Sequence, residues 1–394
     1  MTEQGTRYDP PFFATASKGT EGALRDELRE LAFKNVRADR GGVHFGVGAD
    51  PGPPSGQPPV GRELSEGARA CLELRTALRV LYRLAVFDAP DGQALYEGVH
   101  AVDWSPYLTA RHTLAVRSAC KDSRLSHSQF IAQKTKDAIV DQLRNRTGAR
   151  PSVDLFDPDL MLFVHVVRDR ATVYLDLSGE SLHKRGYRKL GGEAPLKENL
   201  AAAILRLSGW DRQRPLVDPM CGSGTIPIEA ALWARRMAPG LGRDRFGLER
   251  WACHDAAGEK RLAELRRSAQ ARILSTCPRI VGCDVEPEPV AIAEENSRAA
   301  GVHIEWKRQS ITELEPLVPA GMVVTNPPYG ERIAAPSDLY RAMAETFTRL
   351  KGHRIAILAG TPAIVRPIRW RPVQAFGVYN GDIECRLLTY EVRG

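Results

Sequence analysis

The residues best suited to chemistry form two groups in the second half of the chain. One is Asn326-Pro327-Pro328-Tyr329-Gly330, which follows the β-branched run Val323-Val324-Thr325. Consecutive prolines cannot donate ladder hydrogen bonds, so a strand through Val323 ends there, with Asn326 and Tyr329 at its carboxyl tip. Asn supplies a carbonyl acceptor, the prolines add backbone carbonyls without competing N–H groups, and an aromatic ring backs them. That lip suits a planar amino group, and carboxyl tips are where ligands sit in open parallel sheets. Taken alone, Asn-Pro also marks an ordinary turn, so its meaning depends on what lies upstream.

The second group is Asp218-Pro219-Met220-Cys221-Gly222-Ser223-Gly224-Thr225, set between the apolar run Leu216-Val217 and the helical stretch Ile226 to Ala234. Glycines there let a backbone pass close to a ligand, and the helix start presents free amides. Gly-Lys-Ser/Thr is absent, so this is not a phosphate loop, and Ile226-Pro227 stand where a dinucleotide fingerprint needs its third glycine. Asp218 suits a ligand bearing an amino group, although a plain turn cap is the competing reading. Asp284, at the end of Arg279 to Cys283, is placed to accept from two ribose hydroxyls. Together Asp218, Gly222, Gly224, Asp284 and Asn326 favour a nucleoside with a cationic amino-acid tail, a description that S-adenosylmethionine fits.

The elements that must hold these residues alternate. Strands are expected at 215–218, 279–284, 303–307, 323–325 and 354–359, with helices at 196–207, 226–234, 289–300 and 337–350 between them. Such alternation argues a doubly wound sheet, and Val373–Tyr379 with Ile383–Tyr390, joined at Asn380-Gly381, reads as a hairpin closing its edge. Upstream, a helix carrying Leu24, Leu28 and Leu31 precedes a hairpin over 35–47. A strand at 113–118, a long helix over 126–146 with Phe130 on its apolar face, and strands at 161–167 and 171–177 complete a smaller α/β region. Five prolines and three glycines make Asp50 to Gly61 a loop or linker.

At 394 residues the chain exceeds the roughly 250–300 at which a single core stops growing, so two or three domains are expected. There is no apolar run of membrane-spanning length, and the polar start, Met1 to Tyr8, leads to the expectation of no signal peptide. Seven scattered cysteines, none paired at the spacing of a metal knuckle, point to reduced thiols in a cytoplasm and to no metal. The net charge of +7 is concentrated in places. Nine Lys/Arg stand against three acidic residues between Arg111 and Arg150, and His183-Lys184-Arg185-Gly186-Tyr187-Arg188-Lys189 forms a second basic run. A solvated face is the bland reading of either run; phosphate contacts are the functional one, with Lys121, Arg124, Lys134, Lys184, Arg185 and Arg188 as candidates.

Asp218 to Thr225 together with Asn326 to Gly330 resembles the S-adenosylmethionine-dependent amino-group methyltransferases. Leu175 to Arg188, Ala194-Pro195-Leu196-Lys197-Glu198-Asn199 and Ala238 to Arg243 are similar to the THUMP-containing guanine-N2 RNA methyltransferases, the RlmL/YpsC-like group, over nearly the whole chain. The resemblance implies an α/β chain with a ferredoxin-like part at 1–65, a THUMP RNA-binding domain at 66–180 and a seven-stranded Rossmann-like methyltransferase domain at 190–394. It implies that Pro195, Lys197, Asp218, Met220, Gly222, Ser223, Gly224, Thr225, Asp284, Ser310 and Asn326 line the S-adenosylmethionine site. Gln309-Ser310 departs from the pattern, since many relatives place an acid there. Catalysis would fall to Asn326 and the Pro327 carbonyl, which would hold the target amine, and to Tyr329, stacked on an extruded base. Some members carry a second methyltransferase domain; this chain stops at Gly394 and is expected to lack one.

The expected activity is therefore methylation of a guanine N2 in RNA, ribosomal RNA first and tRNA next. Adenine methylation in DNA and a non-catalytic RNA-binding assembly factor are the more distant readings. The Asn-Pro-Pro-Tyr tetrapeptide does not decide among them, since adenine, cytosine and glutamine amino methylation share it.

Overall fold

The computed structural model describes residues 9–47, 56, 59, 61–188, 196–329 and 336–393. The N-terminal half contains, in order, β1 (Phe12–Ala16), α1 (Glu21–Glu30), β2 (Lys34–Asp39), β3 (Gly42–Gly46), α2 (Gly61–Glu73), β4 (Ala77–Asp88), α3 (Gly92–His100), β5 (Thr113–Lys121), α4 (Ser128–Thr147), β6 (Ser152–Val153), β7 (Leu160–Val167) and β8 (Arg170–Asp176). All eight strands join one sheet in the order β2-β3-β1-β4-β8-β7-β5-β6. Strand β4 makes it continuous, pairing antiparallel with β1 on one edge and with β8 on the other. Alternation explains the strand: Val80, Tyr82 and Leu84 are buried on the same core as Phe12, Leu24 and Leu28. The tight β7–β8 turn places Arg168 and Asp169 at positive φ, the conformation whose twist suits a two-residue hairpin. In α4 the residue His127 takes the cap, its Nδ1 accepting from Phe130 N at 3.1 Å. Phe130 departs from the apolar face predicted for it and is 42% exposed.

The C-terminal half contains α5 (Glu198–Leu207), β9 (Leu216–Asp218), α6 (Thr225–Ala234), α7 (Ala256–Ala271), β10 (Ile280–Asp284), α8 (Pro287–Ala299), β11 (Glu305–Arg308), β12 (Met322–Thr325), α9 (Pro336–Arg349), β13 (Arg354–Ala359), β14 (Gln374–Asn380) and β15 (Ile383–Glu391). Its sheet runs β11-β10-β9-β12-β13-β15-β14. The first five strands are parallel, and β15 runs antiparallel to both its neighbours. The order reverses between β9 and β12, so the two motif-bearing strands lie side by side and their carboxyl tips open onto one crevice.

Helix α7 was not legible in the sequence, because its sixteen residues bury only Gly258, Leu262 and Ala269. It nevertheless joins the halves. Phe246, Leu248, Trp251, Leu262 and Ala269 pack into the core of the N-terminal half, Leu248 N donates to Leu177 O at 3.1 Å and Ala252 N to Tyr107 O at 3.1 Å. Removing residues 1–180 would therefore strip the cover from buried aromatic rings of the other half.

A polar seam runs beneath. Arg185 is 3% exposed and faces the wholly buried Glu229 at 3.5 Å, and its guanidinium also donates to the carbonyls of Leu182 and Arg75. Arg75 reaches back to the carbonyl of Met237. Glu27 accepts from Arg75 N at 3.0 Å and Thr76 N at 2.9 Å, and Arg206 of α5 pairs with Glu30 of α1 at 2.8 Å.

Candidate active site

Strand β9 ends at Asp218 because the chain must turn through Pro219, and β12 ends at Thr325 because two prolines follow Asn326. The two tips open on a cleft of about 1290 Å³ lined by residues of both motifs. Of the predicted cofactor residues, Lys197, Asp218, Met220, Gly222, Ser223, Thr225, Asp284, Ser310 and Asn326 line it. Pro195 lies outside the described residues, as do Gly330 and most of the 50–61 segment.

Gly222 and Gly224 both have positive φ, 51° and 82°. They serve different ends. A Cβ on Gly222 would meet nothing within 4 Å, which is open room for a ligand, whereas one on Gly224 would strike Trp306 at 2.6 Å and Ala293 at 2.8 Å. Gly224 is thus a packing requirement that lets the N-terminus of α6 sit on the sheet. Asp284 pins the loop: its Oδ2 accepts from Gly222 N at 3.0 Å while Oδ1 accepts from Glu286 N at 3.1 Å. Cys221 N donates to Cys283 O at 2.8 Å, closing the tips of β9 and β10 together.

Asp218 is 1% exposed and accepts from Met220 N at 3.2 Å. Burial pushes its carboxyl up to about 7, and the carboxylate of Asp284 pushes in the same direction. The site therefore holds two acids on one wall, an arrangement that favours a cationic ligand. Burial also lifts the thiol of Cys221 well above its ordinary range and that of Cys283 to about 11. Neither supplies a thiolate at neutral pH, so a covalent cysteine route has no nucleophile here.

At the neighbouring strand tip, Asn326 Oδ1 is shut off from solvent and has no hydrogen-bond partner among the described residues. A buried carbonyl oxygen left unpaired costs roughly 1–3 kcal/mol. The Pro328 carbonyl is already taken by Tyr340 Oη at 2.9 Å, while Pro327 lines the cleft beside Asn326. Tyr329 is fixed on both sides. Asn380 Nδ2 donates to its hydroxyl at 2.8 Å, and a Cβ on Gly360 would lie 2.5 Å from its ring. Asn380, at the turn of the closing hairpin, belongs to the site; in the sequence it read only as half of an Asn-Gly turn. Ser310 spends its hydroxyl locally, capping the short turn 311–313 by accepting from Thr312 N at 3.3 Å.

The six residues predicted to contact RNA fall into two sets. Lys121, Arg124, Lys134 and Lys184 lie at or near the surface, each beside a partner: Asp122, Asp169, the Tyr96 ring and Glu180 respectively. Arg185 does not reach the surface; it is the buried half of the seam pair with Glu229, and the RNA reading of it is corrected. Arg188 is a clamp on the cleft. Its guanidinium donates to Glu198 Oε1 at 2.8 Å, Leu196 O at 3.1 Å, Ser223 Oγ at 3.2 Å and Thr225 Oγ1 at 3.0 Å, so it ties the chain before α5 to the glycine loop. Among the described residues no cluster of three or more metal-binding side chains occurs, and no helix is long and apolar enough to cross a membrane.

Comparison with known proteins agrees with this geometry. Residues 11–49 match the RlmL ferredoxin-like domain, 90–176 the THUMP domain and 185–389 the RMKL-like methyltransferase domain. The ribosomal RNA large subunit methyltransferase K/L of Syntrophotalea carbinolica is 42% identical over 97% of this chain and 53% of its own length. The chain spans about half the length of the curated relatives it matches. Among solved structures, that of SMU.472 complexed with SAH superposes with a TM-score of 0.82 at 30% identity, covering 97% of this chain and 98% of that one. A protein from Listeria monocytogenes, described as a predicted N6-adenine-specific DNA methylase, gives 0.83 at 30% identity, covering 97% of this chain and 96% of that one. With more than half its length matched by the RMKL-like methyltransferase domain, this chain belongs to that family.

Proposed function

We propose that this protein transfers a methyl group from S-adenosylmethionine to the exocyclic N2 amine of a guanine in RNA, with large-subunit ribosomal RNA the favoured substrate and the cytoplasm its place of work. The observation that carries the reading is the buried Oδ1 of Asn326, without a partner among the described residues, on a residue lining a cleft that also holds Asp218 and Asp284. The donor supplies an electrophilic methyl on a cationic sulfur. The residues fit it: Asp218 faces the end where an ammonium belongs, the open space at Gly222 admits its chain, and Asp284 stands at the tip of β10 for its ribose.

Guanine N2 is a poor nucleophile because its lone pair is delocalised into the ring. Asn326 Oδ1 and the Pro327 carbonyl accept its two hydrogens, favour pyramidal nitrogen and stabilise the positive charge that develops there. The remaining contribution is in-line alignment of amine, methyl and sulfur. The N–C bond would form as the C–S bond breaks, with release of S-adenosylhomocysteine, and water would take the N2 proton. A paired base cannot enter such a cleft, so the target is extruded or single-stranded. The THUMP match and the curated relatives named as ribosomal RNA methyltransferases support RNA as the polymer.

The test incubates the protein with labelled S-adenosylmethionine and, separately, large-subunit ribosomal RNA, tRNA and DNA, followed by nucleoside analysis. N2-methylguanosine from ribosomal RNA is the expected product. Label confined to DNA adenine would overturn the reading, and label confined to tRNA would move the substrate.

A further inference from the structure

The most exposed large apolar side chain among the described residues has no part in the transfer chemistry. Phe156 is 99% exposed, with Leu155 at 66% and Val153 at 51% beside it. Single surface hydrophobics are common and mean little. This one sits on a short loop that is tied down on every side. Asp154 Oδ1 accepts from Phe156 N at 2.8 Å and Asp157 N at 3.1 Å, and Asp154 N donates to Leu114 O at 3.2 Å. From the other half of the molecule, Arg250 donates to Asp157 O at 3.2 Å and to Asp159 Oδ1 at 2.8 Å. Asp159 in turn accepts from Thr113 N at 2.8 Å. The fold holds the loop and leaves its ring in water.

What the ring faces identifies its partner. Phe156 stands at the edge of a second cavity, of about 980 Å³, lined by nine Lys or Arg side chains against four Asp or Glu. Several of those cations are paired within the protein, but Arg117, Lys197 and Arg245 are exposed, Arg245 lying 3.5 Å from the likewise exposed Asp157. His183 in its wall is pushed down to about 4 by burial, so at neutral pH the histidine adds no charge. Leu196 and Lys197 line both this cavity and the methyl-transfer cleft. The basic cavity with Phe156 at its edge therefore adjoins the acidic cleft that holds Asn326.

A groove of net positive charge with an aromatic ring at its mouth matches an extended polyanion with flat faces. We propose that Phe156 stacks on an unpaired base of the RNA substrate where the strand enters the groove, with Arg117 and Arg245 meeting the flanking phosphates. Stacking on an aromatic side chain is how single-stranded segments are gripped without hydrogen-bond readout. It would hold the strand on one side of the target nucleotide while that nucleotide is drawn into the cleft. The inference rests on the RNA reading above.

The test uses the full chain and a short RNA hairpin with a single-stranded tail carrying 2-aminopurine, followed by fluorescence and anisotropy. Phe156→Ala should weaken binding roughly 5- to 150-fold, the range for loss of one stacked base. It should relieve the 2-aminopurine quenching and leave the salt dependence unchanged, because no charge is removed. Phe156→Trp should restore both affinity and quenching. Affinity for S-adenosylhomocysteine should be the same in all three proteins. If wild type binds the hairpin and Phe156→Ala binds it equally well, the stacking role is overturned while the RNA reading stands. If wild type binds no RNA, both fall together. If Phe156→Ala keeps RNA affinity but changes the sedimentation of the free protein, the ring is a protein contact and the proposal is overturned.

Discussion

The seam between the halves and the cleft at the β9 and β12 tips both bury charge, and they do so in opposite ways. In the seam, acids meet bases supplied by the fold: Arg185 faces Glu229, Arg188 faces Glu198 and Arg206 faces Glu30. In the cleft, the charged group acting on Asp218 is another carboxylate, Asp284, and beside them Asn326 Oδ1 has no partner among the described residues. The first arrangement sets opposite charges against each other, although Glu229 Oε2, Arg75 Nη1 and Arg206 Nε have no hydrogen-bond partner among the described residues. The second sets like charges together, and that difference in charge pairing, rather than burial or a missing hydrogen bond, separates a structural polar cluster from a candidate binding site.

The largest expected effect belongs to the seam. Arg185→Ala leaves Glu229 buried without its ion-pair partner, a loss on the order of 3–5 kcal/mol. Urea denaturation should show a lowered midpoint, while RNA affinity per folded molecule is retained. A stable Arg185→Ala protein with weakened RNA binding would break the comparison and return Arg185 to the substrate surface.

In the cleft, Asn326→Ala removes an acceptor aimed at charge developing in the transition state. By analogy with the loss of one preorganised oxyanion-hole group, single-turnover methyl transfer should fall by about 10²–10³. Donor affinity measured by calorimetry and the thermal midpoint should hold. Loss of donor binding as well would make Asn326 a structural residue and erase the contrast.

Arg188 lies where the two regions touch, and it sharpens the boundary. Loss of its charged bonds to Ser223, Thr225 and Leu196 should weaken S-adenosylhomocysteine binding about ten- to a hundredfold, the equivalent of roughly 1.5–3 kcal/mol. Arg188→Lys should recover only part of this, since an ammonium cannot reproduce the planar fork. Unchanged donor affinity with weakened RNA binding would favour the original phosphate reading of the residue.

How much of this the sequence shows depends on whether the signal is local. The β9 and β12 tips are legible because Asp218-Pro219 and Asn326-Pro327-Pro328 end their strands by covalent geometry, whatever the surroundings. The closing hairpin is legible in Asn380-Gly381 and its flanking alternation. Arg185 and Arg188 are not, because a basic run looks the same facing water or facing Glu229, and their partners lie 44 and 10 residues away. Asn380 escapes for the same reason: its bond to Tyr329 spans 51 residues. Helix α7 hides because a helix that buries three small or single apolar residues against another half of the chain carries little amphipathic pattern of its own.

The smallest effect tests the cleft's charge directly. Burial holds the Asp218 carboxyl at about 7 in the folded protein, far above the ordinary carboxylate value near 3.9. The unfolded chain releases this proton first, so the stability of the free protein should decline as pH rises from about 4 to about 7 and level off above that. Asp218→Asn should abolish that slope. A cationic donor binds the ionised form, so its affinity should fall about five- to sixfold between pH 7 and pH 6, near 1 kcal/mol, and rise less than about twofold from pH 7 to pH 8. Calorimetry in buffers of different ionisation enthalpy should detect about one proton released on binding at pH 6, about half a proton at pH 7 and almost none at pH 8. A flat affinity profile with no proton release would mean that Asp218 is a buried turn cap, and that the acidic wall is not a cation site.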